Sequence, residues 1–164
     1  MRDYILALVE RYRDKPLLLD TNLLLVLLVG ATSPQRIADH PRTRAYTADD
    51  LWRISSFVDQ FPGLLATPNI FTEASSLLGR DEAAHEVLRR FVCVAEEHYV
   101  ESRTACAATC YGWSGITDAG LFVLAQAGHL LLTDDARLAR ALAAASLPAL
   151  NSNYLRQVAW GLAR

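Results

Sequence analysis

Apolar residues follow two rhythms along this chain. Short unbroken runs at Leu17–Leu19, Leu64–Ala66, 91–94 and 130–132 are bounded by polar residues. Such runs read as strands buried on both faces, the signature of a parallel sheet, and a further run at 148–150 reads as an edge strand. Between them, apolar residues recur every three or four positions, which predicts helices over 48–61, from Pro68 onward, over 81–90, over much of 97–108, from Ser114 or Thr117 to Gly128, and over 136–145. A terminal amphipathic helix containing Trp160 closes the list. Residues 23–29 are apolar all round, so a helix there must be buried, with Asp20, Thr21 and Asn22 offering caps. Residues 32–47, rich in proline and arginine, read as a surface loop, and 111–115 as a turn. The alternation of the two rhythms predicts an α/β fold: one domain over 1–164, with a central parallel sheet of about five short strands and helices on both faces.

Several acids interrupt this pattern where acids are uncommon. Asp20 ends the first leucine run, and Asp134 and Asp135 follow the run at 130–132. The carboxyl ends of parallel strands are where open α/β sheets bind ligands. Glu73 falls inside the apolar stripe of Ile70, Phe71, Ala74, Leu77 and Leu78, so it is placed on a buried face. Asp118 stands in the first turn of its helix, with Leu121 and Phe122 at offsets of three and four. Gathered carboxylates repel one another and resist desolvation, which points to a cation among them. Magnesium and manganese prefer oxygen donors, and such an ion can activate a water against a phosphodiester.

Each acid also has a plainer role available. Asp20 can cap a helix, Glu73 can pair with an arginine, and Asp118 can offset a helix dipole. Of Asp134 and Asp135, one as cap and one as ligand is the favoured division, and either can be the ligand. Asn22 and Thr133 can orient carboxylates or water, or merely shape turns.

Composition changes this picture little. At 164 residues and 52% apolar, the chain suits a single core, and no apolar stretch is long enough to cross a bilayer. No basic leader with a cleavage site is visible near the first residues, so a cytoplasmic protein that engages no membrane is expected. The net charge of −2 does not suggest a nucleic-acid binder, yet setting aside Asp20, Glu73, Asp118 and Asp135 leaves 16 basic residues against 14 acidic. Nearly all the cations are arginines, whose planar fork suits phosphate, and Arg36, Arg42 and Arg44 are candidates for contacting a nucleic acid. The three cysteines, 93, 106 and 110, read as buried free thiols, and Trp113 as a packing residue that could also stack a base. The four histidines, 40, 85, 98 and 129, lack close mutual spacing. An aspartyl-phosphate enzyme built on Asp20 would want a lysine nearby, and the sole lysine, Lys15, lies before the first strand.

The acidic segments Leu17-Leu18-Leu19-Asp20-Thr21-Asn22, Thr72-Glu73, Thr117-Asp118-Ala119-Gly120 and Thr133-Asp134-Asp135 resemble, in order and spacing, those of the PIN-domain nucleases. The resemblance covers most of the chain. It implies a Mg2+- or Mn2+-dependent endoribonuclease acting on RNA, with Asp20, Glu73, Asp118 and Asp135 as the catalytic metal-holding acids. It also implies a homodimer and, as in the toxin branch of the family, a partner antitoxin protein. Two features depart from that pattern: the second acid at Asp134, and a segment 32–47 longer than in the compact toxins. The alternative is a PIN-like interaction module without catalysis.

Overall fold

The structure, a computed structural model, describes residues 2–157. Its chain order is α1 (Arg2–Tyr12), β1 (Leu17–Leu19), α2 (Thr21–Thr32), α3 (Arg36–Asp39), α4 (Ala48–Val58), β2 (Leu64–Ala66), α5 (Pro68–Leu78), α6 (Glu82–Val92), β3 (Glu96–Glu97), α7 (Ser102–Ala107), α8 (Tyr111–Gln126), β4 (Leu131–Thr133), α9 (Ala136–Ala144) and β5 (Ala149–Asn151), closed by a 3-10 segment over Ser152–Gln157. The strands form one five-stranded sheet in the order β3-β2-β1-β4-β5, every pairing parallel. The expected α/β class holds, with helices flanking the sheet.

The leucine runs are strands for the reason their composition gives. Leu17, Leu18 and Leu19 are buried on both faces, as are Leu131 and Leu132. They pair in register, Leu18 opposite Leu131 and Leu19 opposite Leu132. The all-apolar helix α2 is sunk in the core and packs against α3, α4, α5 and α6. Gly30 permits its close approach to α4, since a Cβ there would lie 2.6 Å from Leu51 Cδ1. Helices α7, α8 and α9 form a second packed group.

From β1 the chain first moves to β2 and β3 on one side, then crosses to β4 and β5 on the other. The reversal of direction falls between β1 and β4, and a crevice opens beyond their carboxyl ends. Asp20 and Asp134 follow directly on those two strands.

Several boundaries differ from the sequence pattern. The run 91–94 is not a strand: α6 continues through Val92, and Phe91 extends its apolar stripe to meet Phe71 edge-on at 6.0 Å. Val94 is 82% exposed, and only Phe91 of the run packs against the core. The true edge strand is the exposed pair Glu96–Glu97, bound through its backbone opposite Leu65 and Ala66. The next helix therefore starts only at Ser102. Residues 111–114 are helical and open α8, which breaks at Gly115 (φ 82°, ψ −178°), a conformation open to glycine. Segment 32–47 is no plain surface loop, because it contains α3 and buries Ile37 and Thr43. Helix α1, which anchors Ile5 and Tyr12 in the core, has no counterpart in the sequence-based expectations. All three thiols are free but only Cys110 is buried, whereas Cys93 and Cys106 are exposed. The expected helix around Trp160 lies outside the described residues, and no described helix is long and apolar enough to cross a membrane.

Candidate functional site

Asp20 joins the two halves of the crevice. Its Oδ1 accepts the Leu23 backbone N–H at 2.8 Å, capping α2, and its Oδ2 accepts the Asp134 backbone N–H at 2.9 Å. Only 4% of the residue is exposed. Burial pushes its carboxyl well above the ordinary range and the charge of Asp134 adds to this, while hydrogen bonds from Thr133, Leu23 and Asp134 oppose it. The capping role and the position at the crevice thus belong to the same side chain.

Asp134 faces the Asp20 side of the crevice, whereas Asp135 is the acid whose charge acts most on Asp118. Its Oδ1 accepts from Asn22 Nδ2 at 3.1 Å, its Oδ2 accepts the Tyr46 hydroxyl, and its backbone carbonyl accepts Asn151 Nδ2 at 3.2 Å. Tyr46 is held in its phenol form by burial, by that bond and by the charges of Asp134 and Asp20. Asp135 caps α9, its Oδ1 accepting the N–H groups of Arg137 at 2.6 Å and Leu138 at 3.0 Å. Thr133 is fully buried, and its hydroxyl accepts the Asp135 N–H at 3.0 Å.

Glu73 is half-buried, and its Oε2 accepts the Thr21 hydroxyl at 2.7 Å. It makes no ion pair with an arginine among the described residues. The break at Gly115 sets Asp118 in the first turn of the continuing helix. Neither Ser114 nor Thr117 caps it through a side-chain bond among the described residues, and Ser114 Oγ instead donates back to the Cys110 carbonyl at 3.0 Å. The Asp118 carboxyl is pushed up to about 6, by burial first and then by the charges of Asp135, Glu73 and Asp134. That shift records the convergence: acids from α5, α8 and the β4–α9 junction lie within electrostatic reach of one another.

Compared with known proteins, the chain matches no family model and no curated protein sequence. The chemistry of the site therefore rests on its own residues.

The acids gathered at the crevice offer oxygen ligands, which suit a hard divalent cation better than zinc or copper. Among the described residues no three acid, histidine or cysteine side chains close into a ready coordination shell. A magnesium ion, which keeps several waters and takes one or two carboxylates, does not require one. The fit is in charge and donor type.

The arginines of segment 32–47 part company. Arg36 is committed to structure, donating to Asp81 Oδ2 at 2.7 Å and to Thr32 Oγ1 at 2.8 Å. Arg42 is exposed and lines a depression beside Asp134, which Arg44 does not line. Trp113 is half-buried with the Arg137 guanidinium stacked 4.2 Å from its ring centroid, so that face is already covered. The rings of His98 and His129, distant in sequence, stand 5.3 Å apart. Lys15 donates to the Gly128 carbonyl at 3.2 Å, before the amino end of β1 and away from Asp20.

Tyr46 and Asn151 escaped the sequence reading, and Thr21 entered it only as a helix cap and motif residue, not as the partner of Glu73. Tyr46 lies 88 positions from its partner Asp134, and no local spacing signals such a bond. Thr21 had a signal in its place beside Asp20, within the Asp-Thr-Asn segment.

Proposed function

We propose that this chain is a magnesium- or manganese-dependent endoribonuclease of the PIN-like kind. The observation that carries the proposal is the gathering of Asp20, Glu73, Asp118, Asp134 and Asp135 about the crevice where the sheet reverses direction, with Asp118 pushed up to about 6 by burial and its acidic neighbours. A structural core has no use for such repulsion, whereas a divalent cation relieves it.

The bound cation would supply an activated water and charge neutralisation at a phosphodiester. The protein's own part is positioning. Asp118 and Glu73 present carboxylates within electrostatic reach of one another and of Asp134 and Asp135, and Thr21 fixes Glu73 by donating to its Oε2. Asn22 and Tyr46 hold the Asp134 carboxylate from two sides, which sets its direction before any ligand arrives. Asp20 ties α2 to the β4–α9 junction and keeps the two sets of acids in register. Asp135 serves first as the α9 cap, and its charge acts on Asp118.

RNA as substrate, a homodimeric state, an antitoxin partner and a cytoplasmic setting belong to the same proposal. Its test is cleavage of mixed-sequence single-stranded RNA by the purified protein with manganese, with chelator, and after Asp118→Asn. Metal-dependent cleavage that disappears in the variant is the expected result. Equal cleavage by both proteins would remove the site. Absence of cleavage with manganese binding intact would turn the proposal toward a non-catalytic interaction module.

A further inference from the structure

A depression of about 400 Å³ opens beside the acids, lined by Asn22, Arg42, Tyr46, Asp134, Asn153 and Arg156 among others. Its volume falls within the range of small-ligand sites, but its wall is mainly polar, unlike that of a pocket for an apolar molecule. It shares Asp134 with the candidate metal site, so a molecule seated in it abuts the acids directly.

The two arginines differ in a way that matters. Arg156 is fixed: its Nε and Nη2 donate to the two oxygens of Asp50 at 2.8 and 2.9 Å, and Nη1 takes no part in that pair. Arg42 has no ion-pair partner among the described residues, although arginines 13, 36, 53, 89, 90, 103 and 156 all do. The backbone that carries Arg42 is nevertheless held. Its N–H donates to His40 Nδ1 at 3.2 Å, and the neighbouring Thr43 is fully buried with its hydroxyl on the Ile37 carbonyl at 2.8 Å. An unpaired guanidinium on a fixed wall, lining the same depression as a second whose position is set by Asp50, suits a phosphate group.

We propose that this depression is a subsite for one nucleotide of a single-stranded RNA, with its phosphate held by Arg42 and Arg156. The inference rests on the nuclease proposal for the adjacent acids and extends it: the subsite places the strand so that its next phosphodiester lies at Asp134. Segment 32–47 thereby acquires a purpose, since its last turn forms the wall opposite Asn153.

The test is binding of a fluorescently labelled ten-nucleotide single-stranded RNA, with calcium in place of manganese so that the strand is not consumed. Wild type, Arg42→Ala and Arg103→Ala are compared at several salt concentrations. Arg103 is an exposed cation on α7, remote in sequence from the depression, and controls for general loss of charge. Arg42→Ala is expected to weaken binding roughly tenfold and to lower the salt slope by about 0.7, the contribution of one phosphate in a single strand. Arg103→Ala should bind as wild type does. Equal binding by all three proteins, equal losses in both variants, or no binding by wild type would overturn the subsite. Failure of the nuclease proposal looks different: Arg42-dependent binding would persist with no manganese-dependent cleavage by wild type.

Discussion

The Asp20 carboxylate accepts the backbone N–H of Asp134, 114 positions away, at 2.9 Å while its other oxygen caps α2. The bond closes the junction of β1 and β4 at the level where the acids gather. Asp20→Ala removes a helix cap and the hydrogen bond from the Asp134 N–H together, at a cost of about 2–3 kcal/mol. Chemical denaturation should show that loss, whereas Glu73→Ala, which gives up only the Thr21 contact, should cost under about 1 kcal/mol. Equal losses in the two variants would mean that Asp20 is not the tie between the two strands.

Asp118 sets a pH dependence in the metal-free protein. Its folded-state carboxyl titrates near 6, above the ordinary value of 3.8, so the folded state binds the proton more tightly than the unfolded state does. The stability this provides is complete below about pH 4 and is lost as pH rises through about 6. Asp118→Asn, which carries no such charge, should therefore be more stable than wild type at pH 7. An advantage of roughly 1–2 kcal/mol is expected after discounting for partial exposure, and it should shrink toward pH 4. Thermal melts of both proteins with chelator, from pH 4 to about 8, provide the check. A gap that does not vary with pH would show that Asp118 feels no repulsion.

The sheet was legible in the sequence because leucine runs buried on both faces leave little ambiguity, and the caps at Asp20 and Asp135 both form. The edge was not. A strand made of Glu96 and Glu97 has no apolar signal, since only its backbone takes part, and the neighbouring run 91–94 offered a false one. At the site, the acids were found through their misfit with the hydrophobic pattern, which is a local property. Their arrangement depends on pairings across the chain. Which partners Asp134 and Asp135 take is decided by Tyr46, Asn22 and the start of α9, none of which local spacing discloses. For the same reason Arg36 and Arg42, six residues apart and alike in sequence, separate into an ion pair with Asp81 and a free guanidinium beside the site.

The division of labour between the two neighbouring acids gives a prediction about metal binding. Manganese should raise the melting temperature of the wild type through selective binding to the folded state. Asp134→Asn should remove most of that rise with little change in the metal-free melt. Asp135→Ala should instead lower the metal-free melt, by about 1 kcal/mol for a lost cap or roughly 2–4 °C for a chain of this size, and keep most of the manganese response. The opposite assignment, with Asp135 as the principal ligand, would reverse the two manganese responses and leave the cap effect of Asp135→Ala in place.

Asp50 and Arg156 connect α4 to the closing 3-10 segment. Burial of the Asp50 side chain, 7% exposed, works against its ionisation, but hydrogen bonds from Arg156 and Thr47 outweigh it and hold the carboxyl below its ordinary range. A group whose folded-state value is lowered contributes stability above its unfolded value, and that stability is lost as pH falls through the folded one. Arg156→Leu leaves the carboxylate with Thr47 and a 3.6 Å contact to Arg53, and because the Arg156 side chain is 49% exposed the loss should be about 1–2 kcal/mol at pH 7. The gap between wild type and variant should close as pH falls below about 4, the reverse of the Asp118 effect. Denaturant titrations at pH 7 and at about pH 3 measure it, and a gap that widened in acid would show that the pair does not hold Asp50 ionised.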